Sequence, residues 1–195
     1  MPPITPFTLN ASLWILWLIY WNLAAIFVNR SKRVENHWQR FQYSLPMGLG
    51  FWLIFHNRNG GSYIHWGDHV GRYTESVALE WVGNAITLLG LGFTVWARVH
   101  LGRYWSGTIT LKEGHKLIRT GPYKLARHPI YTGFLSGAIG SALCASTADA
   151  LVGSACILLF VMIKIHREEA WLTEEFGDAY RRFKKEVAGL VPFVY

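Results

Sequence analysis

Residues 121–133 read GPYKLARHPIYTG and residues 164–169 read KIHREE. The first segment places two anion donors, Arg127 and His128, directly before Pro129. Proline is best tolerated in the first turn of a helix and pushes the residue before it out of helical geometry. A helix is therefore expected to begin at Pro129, its unpaired N–H groups and positive dipole end lying beside Arg127 and His128. Such a corner suits a carboxylate or phosphate. The second segment supplies the opposite sign through Glu168 and Glu169, with Lys164 four residues before Glu168 and so on the same helical face. Adjacent helical residues diverge by about 100°, so one glutamate faces a ligand, and Glu168 is the expected one.

For these segments to share a site, the chain between them must return to its starting depth. Residues 129–163 carry a single charge, Asp149, in the polar break STADA. With a tip at Thr147 and Ala148, each limb holds about 18 residues and spans about 27 Å, close to the roughly 30 Å of a bilayer's hydrocarbon core. Glu168 and Glu169 then surface level with Arg127 and His128.

The rest of the chain agrees with a membrane setting. It has 195 residues, 51% hydrophobic and only 16% charged, a balance typical of a chain that spans lipid. Residues 11–28 carry no charge and residues 77–97 carry one, Glu80. Residues 43–55, with Pro46, Gly48 and Gly50, form a weaker span that is short, bent or re-entrant. The expected fold is an all-α, multi-pass integral membrane protein of about five transmembrane helices, with a C-terminal helical hairpin and a cytoplasmic tail helix. Residues 1–97 hold the N-terminal spans and residues 98–195 the ligand-binding core. Seventeen of the nineteen Lys and Arg fall in segments 30–41, 98–128 and 164–195, so the positive-inside rule puts these, and the site, on the cytoplasmic side. The formal net charge of +7 then matches membrane lipid headgroups rather than nucleic acid.

A mouth with donors on one wall and carboxylates on the other suits a ligand carrying both charges. S-adenosylmethionine is such a ligand. Its carboxylate matches Arg127, His128 and the helix start, while its ammonium and sulfonium match Glu168 and the aromatic faces of Tyr123 and Tyr131. No activated nucleophile is evident, and methyl transfer needs none from the protein, which aligns and desolvates while the cofactor carries the reactive bond. Plainer readings stand beside these: Arg127 as a positive-inside anchor, Pro129 as a helix start, Tyr123 and Tyr131 as interfacial tyrosines, and the glutamates as solvated charges beyond a membrane exit.

The segment GHKLIRTGPYKLARHPIYTG, an apolar hairpin, then EE, EEFGDAYRRF and LVPF together resemble the isoprenylcysteine carboxyl methyltransferase and phospholipid methyltransferase superfamily, over roughly residues 98–195. The resemblance implies a small helical membrane enzyme that holds S-adenosylmethionine at the cytoplasmic face and methylates a lipophilic small molecule, lipid or prenylated substrate. It places cofactor contacts at His115, Lys116, Leu117 and Ile118, at Tyr123, at His128, Pro129, Ile130 and Tyr131, and at Glu168. Arg127 and Glu168 are the expected catalytic pair. Lys164 stands where the isoprenylcysteine enzymes carry a substrate-side arginine, and Thr108 where they carry a glutamine. Lysine keeps the charge and loses the planar fork, which leaves the acceptor open. Two rivals remain: a sterol-reductase-like NADPH-dependent oxidoreductase, whose motif carries asparagine where this chain has Ile130, and a membrane scaffold.

Other features carry structural expectations. His56, His65 and His69 invite a metal reading, but the ligand spacing is incomplete and no metal is expected. Glu80 is expected near an outer helix end, partly wet. Gly133, Gly137 and Ser141 form a small-residue face for close helix approach. Residues 101–106 are an interfacial anchor or line an acceptor route. Gly177 is expected to end the fifth helix with Asp178 capping a last one; Phe176, Tyr180, Phe183 and Val187 form a stripe that docks against the protein or lies in the interface, while Glu174 and Glu175 stay at the surface. Cys144 and Cys156 sit in apolar helices and imply no disulfide. The first apolar run is too long for a cleaved signal peptide and is read as retained. The sequence lies in cell inner membrane or endoplasmic reticulum on this reading.

Overall fold

The computed structural model describes residues 5–56, 73, 76–112, 114 and 116–191. The chain is mostly helical. In order it forms α1 (Pro6–Ala24), β1 (Ser31–Val34), α2 (His37–Phe55), α3 (Val77–Leu101), β2 (Thr110–Lys112), α4 (Pro129–Ala145), α5 (Ala148–Phe176) and α6 (Asp178–Glu186). Among the described residues, three helices are long and apolar enough to cross a membrane: α1, α3 with the turn that follows it, and α5; α4 is apolar but has 17 residues. The second apolar run is longer than its sequence suggested. It is a 19-residue helix continuing through Pro46, opened by Asn36, whose side chain accepts from Gln39 N–H while the Gln39 side chain accepts from Asn36 N–H.

Beside the helices the chain forms one small sheet: β1 and β2 pair antiparallel, with Val34 opposite Thr110 and Arg33 opposite Leu111. Four- and three-residue strands, SKRV and TLK, are too short for a period-two pattern to register.

Close backbone approach sets the helix packing. Helices α3 and α4 meet through facing glycines: a Cβ on Gly83 would lie 2.5 Å from Gly140 O, and one on Gly90 would lie 2.6 Å from Gly133 O. The small face of α4 thus meets α3, while Gly137 lies against Trp14 and Leu91. Helices α2 and α5 use the same device at Gly50, where a Cβ would stand 2.7 Å from Gly153 O. Gly90→Leu is therefore expected to push α4 off α3 and cost at least about 3 kcal/mol, the upper end for overpacking a core. A lowered unfolding temperature in detergent, with loss of ligand binding, is the measurement.

Several buried polar groups inside the bundle are paired. Trp14 Nε1 donates to Ser141 Oγ at 2.8 Å, Trp17 Nε1 to Thr94 Oγ1 at 2.6 Å, and Asn10 Nδ2 to Thr87 Oγ1 at 3.0 Å. In an apolar medium each such bond avoids an unsatisfied group. Around them pack Trp14, Trp17, Leu91, Phe134, Ile157 and Phe160. The outward faces expose Leu16, Ile19, Leu89, Val152 and Leu159 instead, as lipid-facing helices do.

Turns follow the local chemistry. Ser146 takes a left-handed conformation at φ 56° between α4 and α5, and Thr147 caps α5 by accepting from Ala150 N–H at 3.3 Å. Gly177, at φ 53°, ends α5 as expected; Asp178 is the first residue of α6 and not its cap. Glu80 is buried, at 8% exposure, rather than partly wet. His56 Nε2 lies 3.2 Å from Asp149 Oδ2, an ion-pair geometry in place of a metal ligand. His65 and His69 fall outside the described residues, and among the described residues no three metal-ligating side chains cluster.

Candidate functional site

The start of α4 and the end of α5 converge. Glu169 Oε1 accepts from Arg127 Nε at 3.0 Å and lies 3.2 Å from His128 Nε2, while Lys184 Nζ of α6 sits 2.7 Å from Glu169 Oε2. Glu168 points the other way. It accepts a short hydrogen bond from the Tyr131 hydroxyl, and His128 Nδ1 stands 3.7 Å from its Oε2. His128 therefore bridges the two carboxylates, with its ring stacked near Tyr131 at 5.9 Å between centroids. The two glutamates divide the work as their 100° separation demands.

Arg127 also reaches the C-terminal tail. Besides Glu169 its guanidinium donates to Lys184 O at 3.0 Å and to Val187 O, satisfying carbonyls at the open end of α6. The backbone reinforces the same seam: Arg127 N–H donates to Ala188 O at 2.8 Å, His128 N–H to Gly189 O at 3.0 Å, and Thr132 Oγ1 to Leu190 O at 2.6 Å. A guanidinium so committed holds the tail against α4. Arg127 also lines the cavity that opens beside Glu168.

A cavity of about 510 Å³ opens beside Glu168, within the roughly 300–1,000 Å³ of small-molecule sites. Lys116, Leu117 and Ile118 line one wall, and Tyr123 adjoins them. His128, Pro129, Ile130 and Tyr131 bring the beginning of α4 to it, and Lys164 and Glu168 bring α5. His115 lies outside the described residues. Pro129 has no N–H, so the amides of Ile130 and Tyr131 are the helix-start donors without an intrahelical carbonyl. Burial first, and then the Glu168 charge, push the Tyr123 hydroxyl well above the usual tyrosine range, so it remains neutral.

Sequence reasoning missed the first half's share. Trp17, Trp21, Met47 and Phe51, from α1 and α2, also line the cavity. The signal was present in the aromatic content of these runs, but a lipid-facing and a ligand-facing tryptophan look alike in sequence. Trp105 and Tyr104 line the cavity too; Arg98 sits 4.4 Å over the Trp105 ring. Lys164 Nζ donates to Gly107 O at 2.9 Å and lies 5.0 Å from the Tyr43 ring. Glu174 and Glu175 pair with Arg33 at 2.9 Å and Lys32 at 3.3 Å, fastening β1 to α5, and Tyr180 and Phe183 dock inward at 1% and 2% exposure.

Fold and cavity together give a mostly helical protein, with helices of membrane-spanning length and a cavity whose lining carries charges of both signs. Residues 83–174 match the sequence profile of the isoprenylcysteine carboxyl methyltransferase family. It is 33% identical over 101 residues to the protein-S-isoprenylcysteine O-methyltransferase of Schizosaccharomyces pombe, covering 50% of this chain and 43% of that one. A probable protein-S-isoprenylcysteine O-methyltransferase of Oryza sativa subsp. indica is 31% identical over 119 residues, 60% of this chain and 62% of its own. Methanethiol S-methyltransferase 1 of Bradyrhizobium diazoefficiens is 29% identical over 123 residues, 56% of this chain and 42% of its own. The chain thus spans about half the length of these curated relatives.

Proposed function

We propose that this protein is a membrane methyltransferase that uses S-adenosylmethionine to methylate a lipophilic acceptor. The observation that carries the reading is the meeting of both signs of charge in one cavity: Glu168, hydrogen-bonded to Tyr131, beside the start of α4, with Lys164 in the same lining. The relatives' names, O-methyltransferase and S-methyltransferase, agree with it. Five spans, counting α2 and α4, with the site at the cytoplasmic face, complete the proposal. The charge asymmetry of the sequence supports that orientation.

Bound S-adenosylmethionine would supply a methyl group on a positively charged sulfur. The protein's own groups do the rest. Glu168 offers a negative charge to an ammonium or sulfonium, and the rings of Tyr123 and Tyr131 extend that field. The amides of Ile130 and Tyr131 offer donors to a carboxylate. Residues 116–118 close the wall, and α1 and α2 supply the apolar surface that excludes water from the transfer. Lys164 lies on the acceptor side. An acceptor carboxylate arrives already ionised, whereas a thiol or amine must first lose a proton.

Purified protein in detergent with methyl-labelled S-adenosylmethionine and three acceptors tests this: a prenylated cysteine, a small alkyl thiol and a host lipid extract. Label is expected in an apolar product, NADPH is expected not to bind, and no labelled product from any acceptor overturns the reading.

A further inference from the structure

Glu35 is buried at 6% exposure between β1 and α2, in the half of the chain that the family match leaves uncovered. Its Oε1 accepts from the Tyr43 hydroxyl and from Ile109 N–H at 3.0 Å, and its own N–H donates to Ile109 O at 3.2 Å. Both peptide groups of Ile109 are thus taken by one residue. Two residues earlier, Gly107 O accepts from Lys164 Nζ at 2.9 Å. Residues 107–109 form a wall of the cavity, so this stretch is pinned at one end by a buried carboxylate and at the other by a buried ammonium. Thr108, whose hydroxyl stands 3.4 Å from Ser106 Oγ, lies between the pins and lines the cavity.

We propose that Glu35, oriented by Tyr43, is the positioning residue of the acceptor side: it fixes residues 107–109 so that Thr108 and Lys164 present one surface to the acceptor. The proposal builds on the methyltransferase reading. It concerns different residues from those that meet S-adenosylmethionine, because Glu35 and Tyr43 stand behind the wall and Glu168 stands in the cavity. Among the described residues the hydrogen bonds of Glu35 run to Tyr43 and Ile109 and to none of α4. The two substrates should therefore respond separately.

The test compares Glu35→Ala, Glu35→Gln and Tyr43→Phe by kinetics with each substrate varied. Gln retains a carbonyl oxygen that accepts from both Tyr43 and Ile109. Glu35→Ala is expected to raise the acceptor KM by about tenfold while the S-adenosylmethionine KM stays within about twofold, a split that general loss of fold does not produce. Glu35→Gln is expected to restore the acceptor KM to within about threefold, and Tyr43→Phe to fall between, since each loses part of the hydrogen bonding. Equal change in both KM values, or none in either, overturns the proposal. Hydrogen exchange of the Ile109 amide, read without any acceptor, is expected to rise about 100-fold in Glu35→Ala. Unchanged exchange also overturns it. A wild-type protein that binds no S-adenosylmethionine and transfers no methyl group instead overturns the underlying reading, leaving exchange to decide on the pin itself.

Discussion

Glu168→Gln is expected to weaken S-adenosylmethionine binding by about 10- to 100-fold while leaving the unfolding temperature nearly unchanged. Glutamine keeps an oxygen able to accept from Tyr131, so the local contact survives the substitution; what disappears is the negative charge facing the cavity. A hydrogen bond or contact to a charged group is worth about 1.5–3 kcal/mol, and each 1.4 kcal/mol is about tenfold in affinity. Calorimetry in detergent with S-adenosylmethionine and with its demethylated product gives the sharpest reading. The product lacks the sulfonium charge, so the penalty should be smaller for it if Glu168 acts through the field at sulfur, and equal for both if it meets the ammonium. Wild-type affinity in Glu168→Gln would remove this carboxylate from the ligand altogether.

The parts of this molecule legible in its sequence are those governed by strong local rules. Pro129 fixed the start of α4, and Gly177 the end of α5, because a missing N–H and a positive φ admit few alternatives. Counting residues from a polar tip placed Glu168 and Glu169 beside His128, since two antiparallel helical limbs return to the same depth after about equal numbers of residues. The two glutamates' opposite directions followed from helical geometry alone. What stayed hidden depends on partners distant in the chain. Glu35 and Ile109 are 74 residues apart, and no local pattern marks a glutamate that will be buried by a three-residue strand. Arg127 was legible as a donor, but not as one whose capacity is consumed by the carbonyls of residues 184 and 187, because the tail's path is set by the docking of Tyr180 and Phe183.

That distinction between a donor that meets ligand and one that holds the tail leads to the second large effect. Arg127→Ala and Glu169→Ala are each expected to cost about 3–5 kcal/mol, the range for removing one partner of a buried ion pair and stranding the other. The pair is mostly shielded, each side chain 12% exposed. Removing Glu169 leaves Arg127 and His128 without their shared acceptor and Lys184 without its ion-pair partner. Removing Arg127 frees the carbonyls of Lys184 and Val187 and loosens α6 from α4. The double variant should lose clearly less than the two single losses combined, because residues in one ion-pair network are not additive. Thermal unfolding in detergent, with limited proteolysis of the segment after residue 177, measures both effects. If Arg127→Ala instead kept its unfolding temperature and lost S-adenosylmethionine affinity, its guanidinium would be a ligand contact, and the seam between α4 and the tail would have to be held by the backbone bonds of Arg127 and His128 with the Thr132 hydroxyl.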